Sequence, residues 1–427
     1  MSGNGDFVGL RRQIHEVEST DFGDRTALDG GRLTVSEAEA KECFKHPALA
    51  SVGLSWARPG ESVRIVKVLD AVEPRTKGPG GGGIFPGQLG PAVPQGEGET
   101  HVLKGVAVLT AGWLPRAQQG LVQMSGPSAE LSPFGLTHNL VVEFEPSSDD
   151  HWLEVAQALR KGALRLAALV ASAGLQAEPD RTDELARISG KGGPDLPRVG
   201  TIVNLQTQGD FKDVYVYGKS MTGSLPTAID PNELEDGAVV SGQYGHPGLK
   251  NPTYLHQNSP VVAALRARDG IDLSFAGVIL SPEPVDQSIK ELASAHAARL
   301  CYQMGWDAAI VSKEGGGNAD SDIALKVDAL EAMGIVGVGM FPEMSGANGL
   351  GPPVVSPPAT ATAMISTGNY DERIDLEAVE RALGGETYEL TGSDSVAGMR
   401  VPTAVIYSGL SPVGWGRLTC ADPVEAP

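Results

Sequence analysis

Between residues 274 and 340 the chain switches repeatedly between two hydrophobic periods. The runs 274–280, 308–312 and 335–340 are short and rich in aliphatic side chains, while 285–304 and 321–333 carry helical spacing. Short glycine-bearing connections join them. A helix between consecutive strands is the crossover that a parallel pair requires, so hairpins are excluded here. The pattern predicts a parallel, doubly wound sheet, with 199–205 as an upstream strand. The first part, to residue 148, reads differently. Its runs 62–68, 101–109 and 140–144 are bounded by Gly and Pro with no helix between them, which predicts a β-rich domain. At 151–174, Leu153, Ala156, Leu159, Ala163, Leu166 and Val170 recur at helical spacing and Gly174 supplies a stop.

The expected fold is therefore α/β: a β-rich N-terminal domain followed by a doubly wound, mostly parallel sheet domain. The divisions are 1–50 as an extension or start of the β domain, 51–148, 149–384, and a tail at 385–427 with little periodicity. The polar stretch before residue 199 reads as a connection, and the proline-rich 352–363 as a surface connection or interface arm. The loop PGGGGIFPGQLG (79–90) lacks the Lys-Ser/Thr ending of a phosphate-binding loop, so a hairpin or contact loop is favoured over a phosphate cradle.

A length of 427 residues allows two or three domains with a sizeable core. The net charge of −20 argues against nucleic acid and anionic membrane surfaces as partners, since both need a positive footprint. No apolar run approaches the ~18 residues of a membrane span, and the N-terminus has no signal-type apolar core. Cys43, Cys301 and Cys420 are far apart, which suits a reducing cytoplasm, and Cys301 falls on the apolar side of a helix.

Residues 234–262 read LEDGAVVSGQYGHPGLKNPTYLHQNSPVV. This stretch resembles the processing-site segment of the alpha/beta proprotein of component B of the glycine/sarcosine/betaine reductases, to which the D-proline reductase proprotein is related. The family pattern runs DGAxVSG, then Asn-Cys, then a gapless run to TYxHQNNPV. Further matches are VEPR at 72–75 with GGGIFPG at 81–87, MSGPSAELSPFGLTHNLV at 124–141, LQTQGDFKDVYVYG at 205–218 and KEGGGNADSD at 313–322. The resemblance implies a subunit in which a Cys becomes a pyruvoyl group when the chain cuts itself. It also implies a partner subunit bearing a selenocysteine or cysteine that takes the substrate carbon, and a protein A-like carrier.

Here the Asn-Cys pair reads Gln243-Tyr244. Self-cleavage needs a nucleophile on Cβ that attacks the preceding carbonyl and then leaves by β-elimination. A tyrosine has no heteroatom on Cβ, so no pyruvoyl cofactor is expected; Ser241 is the nearest substitute, but it lies in the flank. The expected function is an uncleaved component B alpha/beta-like subunit, acting with a thiol- or selenol-bearing partner on a small amine or related substrate by reductive C–N or C–heteroatom cleavage. The alternatives are a non-catalytic scaffold and a metal-assisted lyase or hydrolase.

Candidate catalytic residues are Tyr244, His246, His256 and Glu314. Candidate substrate-binding residues are Gln206, Gln208, Asp213, Asn251, Tyr254, Asn318, Asp320 and Asp322. No metal site is expected. Asn318 or Asp320 is also placed to cap the following helix. A desolvated Lys250 could capture a carbonyl compound, though a surface lysine is the simpler reading. Tyr215 and Tyr217 carry strand alternation, with packing as their default role.

Overall fold

The computed structural model describes residues 9–148, 151–188, 195–209 and 212–415. Cys420 lies outside them. The fold is mixed α/β, with a β-rich first part and a mostly parallel sheet in the second. Among the described residues, no helix is long and apolar enough to cross a membrane.

Among the described residues, the first part holds two larger sheets and a small one of Ser19–Gly23, Arg32–Ser36 and Ala27–Asp29. In one, the strands Gly120–Gln123, Val63–Val72, Val106–Ala111, His138–Pro146 and Leu49–Ala57 lie in that spatial order. In the other, Arg181–Ala186, Gly9–Glu16, Gly98–Lys104 and Arg75–Lys77 are neighbours. The run 101–109, read as one strand, is two strands of different sheets, broken at Gly105, whose φ of 80° favours glycine. The polar stretch read as a connection contains Arg181–Ala186, an antiparallel edge strand on Gly9–Glu16. Its charged side chains left no apolar alternation to find, because an edge strand can be solvated.

The helix Trp152–Ser172 covers this part through Val155, Leu159, Ala163, Leu166 and Val170, all buried in one cluster. Leu153, assigned to the same stripe, is 42% exposed at the helix start. The segment after residue 370 returns to the first part. Arg381–Leu383 pairs parallel with Val63–Ile65, and Tyr388 and Tyr407 are buried. Its order comes from contacts far apart in sequence, which periodicity does not register.

The large sheet of the second part runs Thr227–Ile229, Ser274–Glu283, Arg198–Gln206, Ala308–Ser312, Val336–Glu343 and Ala363–Asn369, with only the Thr227 edge strand antiparallel. Helices Gln287–Gln303 and Asp320–Glu331 cover one face, packing Ala297, Cys301 and Val327 on Ile202 and Ile279. Helix Pro260–Arg268 covers the other, packing Val262 and Leu265 against Val203, Leu205 and Leu280. The Arg198 strand therefore sits between two neighbours whose outgoing connections use the opposite face from its own. Its carboxyl end is the topological switch point, where open sheets of this kind leave a crevice.

Buried ion pairs hold the segment 235–258 against the first part. Arg75 donates from Nε to Glu73 Oε2 (2.7 Å), from Nη1 to Glu235 Oε2 (2.6 Å), and from Nη2 to Asn258 Oδ1 (2.8 Å) and the Gln257 carbonyl (3.1 Å). Lys77 Nζ and the Thr100 hydroxyl both donate to Asp236. The glycine-rich loop is a contact loop at its IFPG end: Phe85 N–H donates to the Asp236 carbonyl, and a Cβ on Gly87 would stand 2.0 Å from the Tyr217 carbonyl oxygen.

Candidate functional site

The strand Val239–Gln243 pairs antiparallel with Lys212–Val216 and delivers Gln243 to the end of the Arg198 strand. There the Gln243 amide nitrogen donates to Gln206 Oε1 at 2.6 Å. The Gln206 backbone N–H donates to Glu314 Oε2 at 2.8 Å, and Glu314 Oε1 lies 3.5 Å from His256 Nε2. Behind Gln243, Lys250 Nζ donates to the Gln243 carbonyl oxygen and to Ser241 Oγ (2.6 Å). Ser241 N–H donates to Thr253 Oγ1, which donates to Asp70 Oδ2 at 2.8 Å. A continuous polar chain thus runs from Asp70 to His256 across the switch point, and every member is at least nine-tenths buried.

Electrostatics follow from that burial. Desolvation pushes the Lys250 amine down, against the pull of Asp70 and Glu314, and pushes the Asp70 carboxyl up. The Tyr244 ring is buried in the cluster formed by helix Trp152–Ser172 and the first part. Burial raises its phenol to about 12, although Arg160 on that helix opposes the rise by charge and hydrogen bonding. Lys250 Nζ stands 5.6 Å from the centre of the Tyr244 ring. Gln206 Nε2, Gln243 Oε1, His256 Nε2 and Glu314 Oε1 have no hydrogen-bond partner. Such atoms are uncommon in native interiors, and here all four belong to the one buried polar chain.

Glu283, at the end of the Ser274 strand, fixes the loop after the Ala308 strand by accepting the backbone N–H of Glu314 (3.0 Å) and of Gly315 (3.1 Å). A Cβ on Gly315 would stand 2.9 Å from Ala319 Cβ and 3.2 Å from Gln206 Nε2, so the close approach needs glycine. Desolvation, Asp322 and Glu314 raise the Glu283 carboxyl to about 8, from 4.5. An acid whose folded pKa lies above its unfolded value keeps its proton after the unfolded chain has lost it. Stability therefore falls as pH rises from 4.5 to about 8. Glu283→Gln should remove this term: compared with wild type, urea midpoints of the variant should improve from pH 5 to pH 8. An unchanged difference across that range would refute the assignment.

The family model of glycine/sarcosine/betaine reductase component B subunits matches residues 8–419. The chain belongs to that family. Among curated component B relatives, the glycine reductase complex component B subunits alpha and beta of Peptoclostridium acidaminophilum are 39% identical over 388 residues, 90% of each chain. Those of Acetoanaerobium sticklandii are 35% identical over 419 residues, 94% of this chain and 97% of the relative. The sarcosine reductase complex component B subunit alpha of Peptoclostridium acidaminophilum is 35% identical over 386 residues, 86% of this chain and 90% of the relative. No solved structure gives a significant match.

In this component B chain the structure brings Gln206, His256 and Glu314 together beside the Gln243-Tyr244 peptide. Asn251 is close in sequence and buried, but its Oδ1 accepts from Ser411 Oγ at 2.6 Å. The other candidates lie elsewhere. His246 sits in the left-handed region (φ 48°) in the following turn, where its N–H donates to Gln118 Oε1. Asp213 accepts from the hydroxyls of Ser220 and Thr222. Gln208 lies two residues beyond the strand end, half-buried. Tyr254 turns its ring edge-on to Phe134, 5.3 Å away, in the first part.

The acidic loop also departs from expectation. Asn318 is exposed, and neither it nor Asp320 caps the helix, whose N-cap is Ala319 with no side-chain bond. Asp320 instead accepts from Lys313 and from the Val355 N–H, and Asp322 accepts from Lys290. Tyr217 falls just outside the strand with φ 50° and donates to Glu233, so strand alternation does not describe it. Among the described residues, no group of three or more His, Cys, Asp or Glu is arranged to hold a metal ion.

Sequence reasoning missed Asp70, Arg160 and Glu283. Asp70 had a signal, a lone carboxylate inside the apolar strand Val63–Val72. Arg160 and Glu283 had none, because each looks like an ordinary charged residue until the chain folds.

Proposed function

We propose that this chain is an uncleaved, pyruvoyl-free alpha/beta-type subunit of a component B complex. It acts with a thiol- or selenol-bearing partner subunit in reductive C–N or related C–heteroatom cleavage of a small amine-type substrate. The single observation that carries the reading is Tyr244 itself, a phenol locked into the hydrophobic core at the position where self-processing would need a nucleophilic Cβ substituent. Residue 244 itself supplies no group from which a pyruvoyl could form, which supports the reading. The nearest hydroxyl, Ser241, is held by Lys250 inside a buried strand, and its neighbour Val240 packs in the same core as Tyr244.

The relatives are named as complexes for glycine, sarcosine and betaine, compounds that share an acetate unit and differ at nitrogen. The unpaired polar atoms of Gln206, Gln243, His256 and Glu314 suit the nitrogen end of such a molecule. His256 Nε2 beside Glu314 Oε1 can take up or release the proton that C–N cleavage moves, and burial of the chain keeps water from competing.

Intact mass spectrometry of the purified protein tests the first half: one species near 44.4 kDa is expected. Fragments of roughly 25 and 19 kDa, in proportion to chain length, would overturn it. For the second half, Glu314→Gln in the reconstituted complex should lower turnover by about 10²-fold or more. Unchanged turnover would leave only a scaffolding role.

A further inference from the structure

On the helix-covered side of the same strand ends lies a polar layer that the chemistry above leaves unused. Side-chain alternation sets it up. Ile202 and Ile279 face helices Gln287–Gln303 and Asp320–Glu331, so Asn204 and Ser281, two residues further on and opposite each other in register, face the same way. Gln206 and Glu283 follow in the next pair. The helices add Lys290, Ser294 one turn later, Asp322 and Lys326. All are buried.

Lys290 Nζ is taken by Asp322 Oδ2, but Lys326 Nζ stands 3.7 Å from Asp322 Oδ1 and makes no hydrogen bond. Both amide atoms of Asn204, the hydroxyls of Ser281 and Ser294, and Gln206 Nε2 also have no partner. Unpaired donors outnumber unpaired acceptors: Lys326 Nζ, Asn204 Nδ2, Gln206 Nε2 and the two hydroxyls stand against Asn204 Oδ1 and Asp322 Oδ1. The layer therefore has an excess of unpaired donors, one of them a lysine amine. Its complement is a small monoanion with two acceptor oxygens.

We propose that this layer is the carboxylate seat of the site, with Lys326, Asn204, Ser281 and Ser294 receiving the carboxylate of a small amino- or ammonio-acetate. The nitrogen end then passes Gln206 toward Gln243, His256 and Glu314. Gln206 is the hinge between the halves, since its Oε1 is engaged by Gln243 while its Nε2 has no partner. This assignment rests on the function proposed above and names its substrate class.

The test uses the full-length chain without partners. Acetate, glycine and betaine are titrated in calorimetry and thermal unfolding, with methylammonium, tetramethylammonium and chloride as controls. Saturable stabilisation by the three carboxylates and not by the controls is expected. Lys326→Met should weaken carboxylate binding at least tenfold while melting no lower than wild type, because it removes a buried charge that has no hydrogen bond. Ser281→Ala should weaken binding less and keep the fold. Absence of a saturable carboxylate effect, equal stabilisation by chloride, or unchanged binding in Lys326→Met would each overturn the seat. The intact mass of the same sample separates the two proposals: a cut chain that still binds carboxylate sinks the uncleaved reading alone, and an uncut chain that does not bind sinks the seat alone.

Discussion

Tyr244→Cys should turn one 44.4 kDa chain into two pieces cut between residues 243 and 244. The argument is geometric. Lys250 Nζ, a buried amine, already donates to the Gln243 carbonyl oxygen, the atom that gains negative charge when its carbon is attacked. A preorganised donor at that atom is worth about 10²–10³ in rate in comparable acyl chemistry. Wild type has this donor and lacks the attacking atom. A thiol on Cβ of residue 244 supplies it: the sulfur adds to the Gln243 carbon, the residue 244 nitrogen leaves with a proton, and water then hydrolyses the C–S bond of the thioester, giving a Gln243 carboxylate and a free thiol on the second piece. The cysteine leaves a cavity where the tyrosine ring packed, at a cost of about 3–5 kcal/mol, so the variant is first checked for folding by circular dichroism. Gel and mass analysis over hours then reads the cut. Lys250→Met in the same background should suppress it. A folded Tyr244→Cys protein that stays in one piece would show that Lys250 serves packing alone.

Arg75→Met should destabilise the protein by about 3–5 kcal/mol, a large share of the roughly 5–15 kcal/mol of a typical domain. The guanidinium is fully buried, and its loss leaves Glu73 paired with Lys104 alone and Glu235 with Arg12 alone in a largely dry interior. Burial alone would raise the Glu73 carboxyl, but Lys104 and Arg75 overcome it and hold it at about 2, below the ordinary 4.5. A depressed acid contributes stability that is present above 4.5 and is lost as pH falls toward 2. The variant forfeits part of that contribution, so its deficit should be largest at neutral pH and shrink toward pH 4. Urea unfolding at both values measures it. A loss below about 1 kcal/mol at pH 7 would mean that the clamp on residues 235–258 is held by the Lys77–Asp236 pair instead.

The sequence carried the sheet's strands and helices because each has its own period and its own glycine punctuation: 274–280 and 308–312 fall inside observed strands, and 335–340 does so except for Ile335. It carried the helix Trp152–Ser172 for the same reason. The split of 101–109 at Gly105 was hidden, since both halves are equally apolar and only the sheet assignment separates them. The edge strand Arg181–Ala186 was hidden by its charges. Within the site, motif matching found Gln206, His256 and Glu314, but it could not distinguish them from Asp213, Tyr254 or Asn318, which belong to the same matched segments and point elsewhere.

Residue identity alone fixed that position 244 has no Cβ nucleophile, since no fold can add an atom to a side chain. It also fixed the family, through short motifs spread from 72 to 322. Tertiary structure alone decided which charges are buried and against what. Lys250, Lys290 and Lys326 look alike as letters, yet one sits on a peptide carbonyl, one on an aspartate, and one makes no hydrogen bond. The physical reason is that the behaviour of an ionisable group depends on its desolvation and neighbours, and both are set by contacts between residues far apart in the chain.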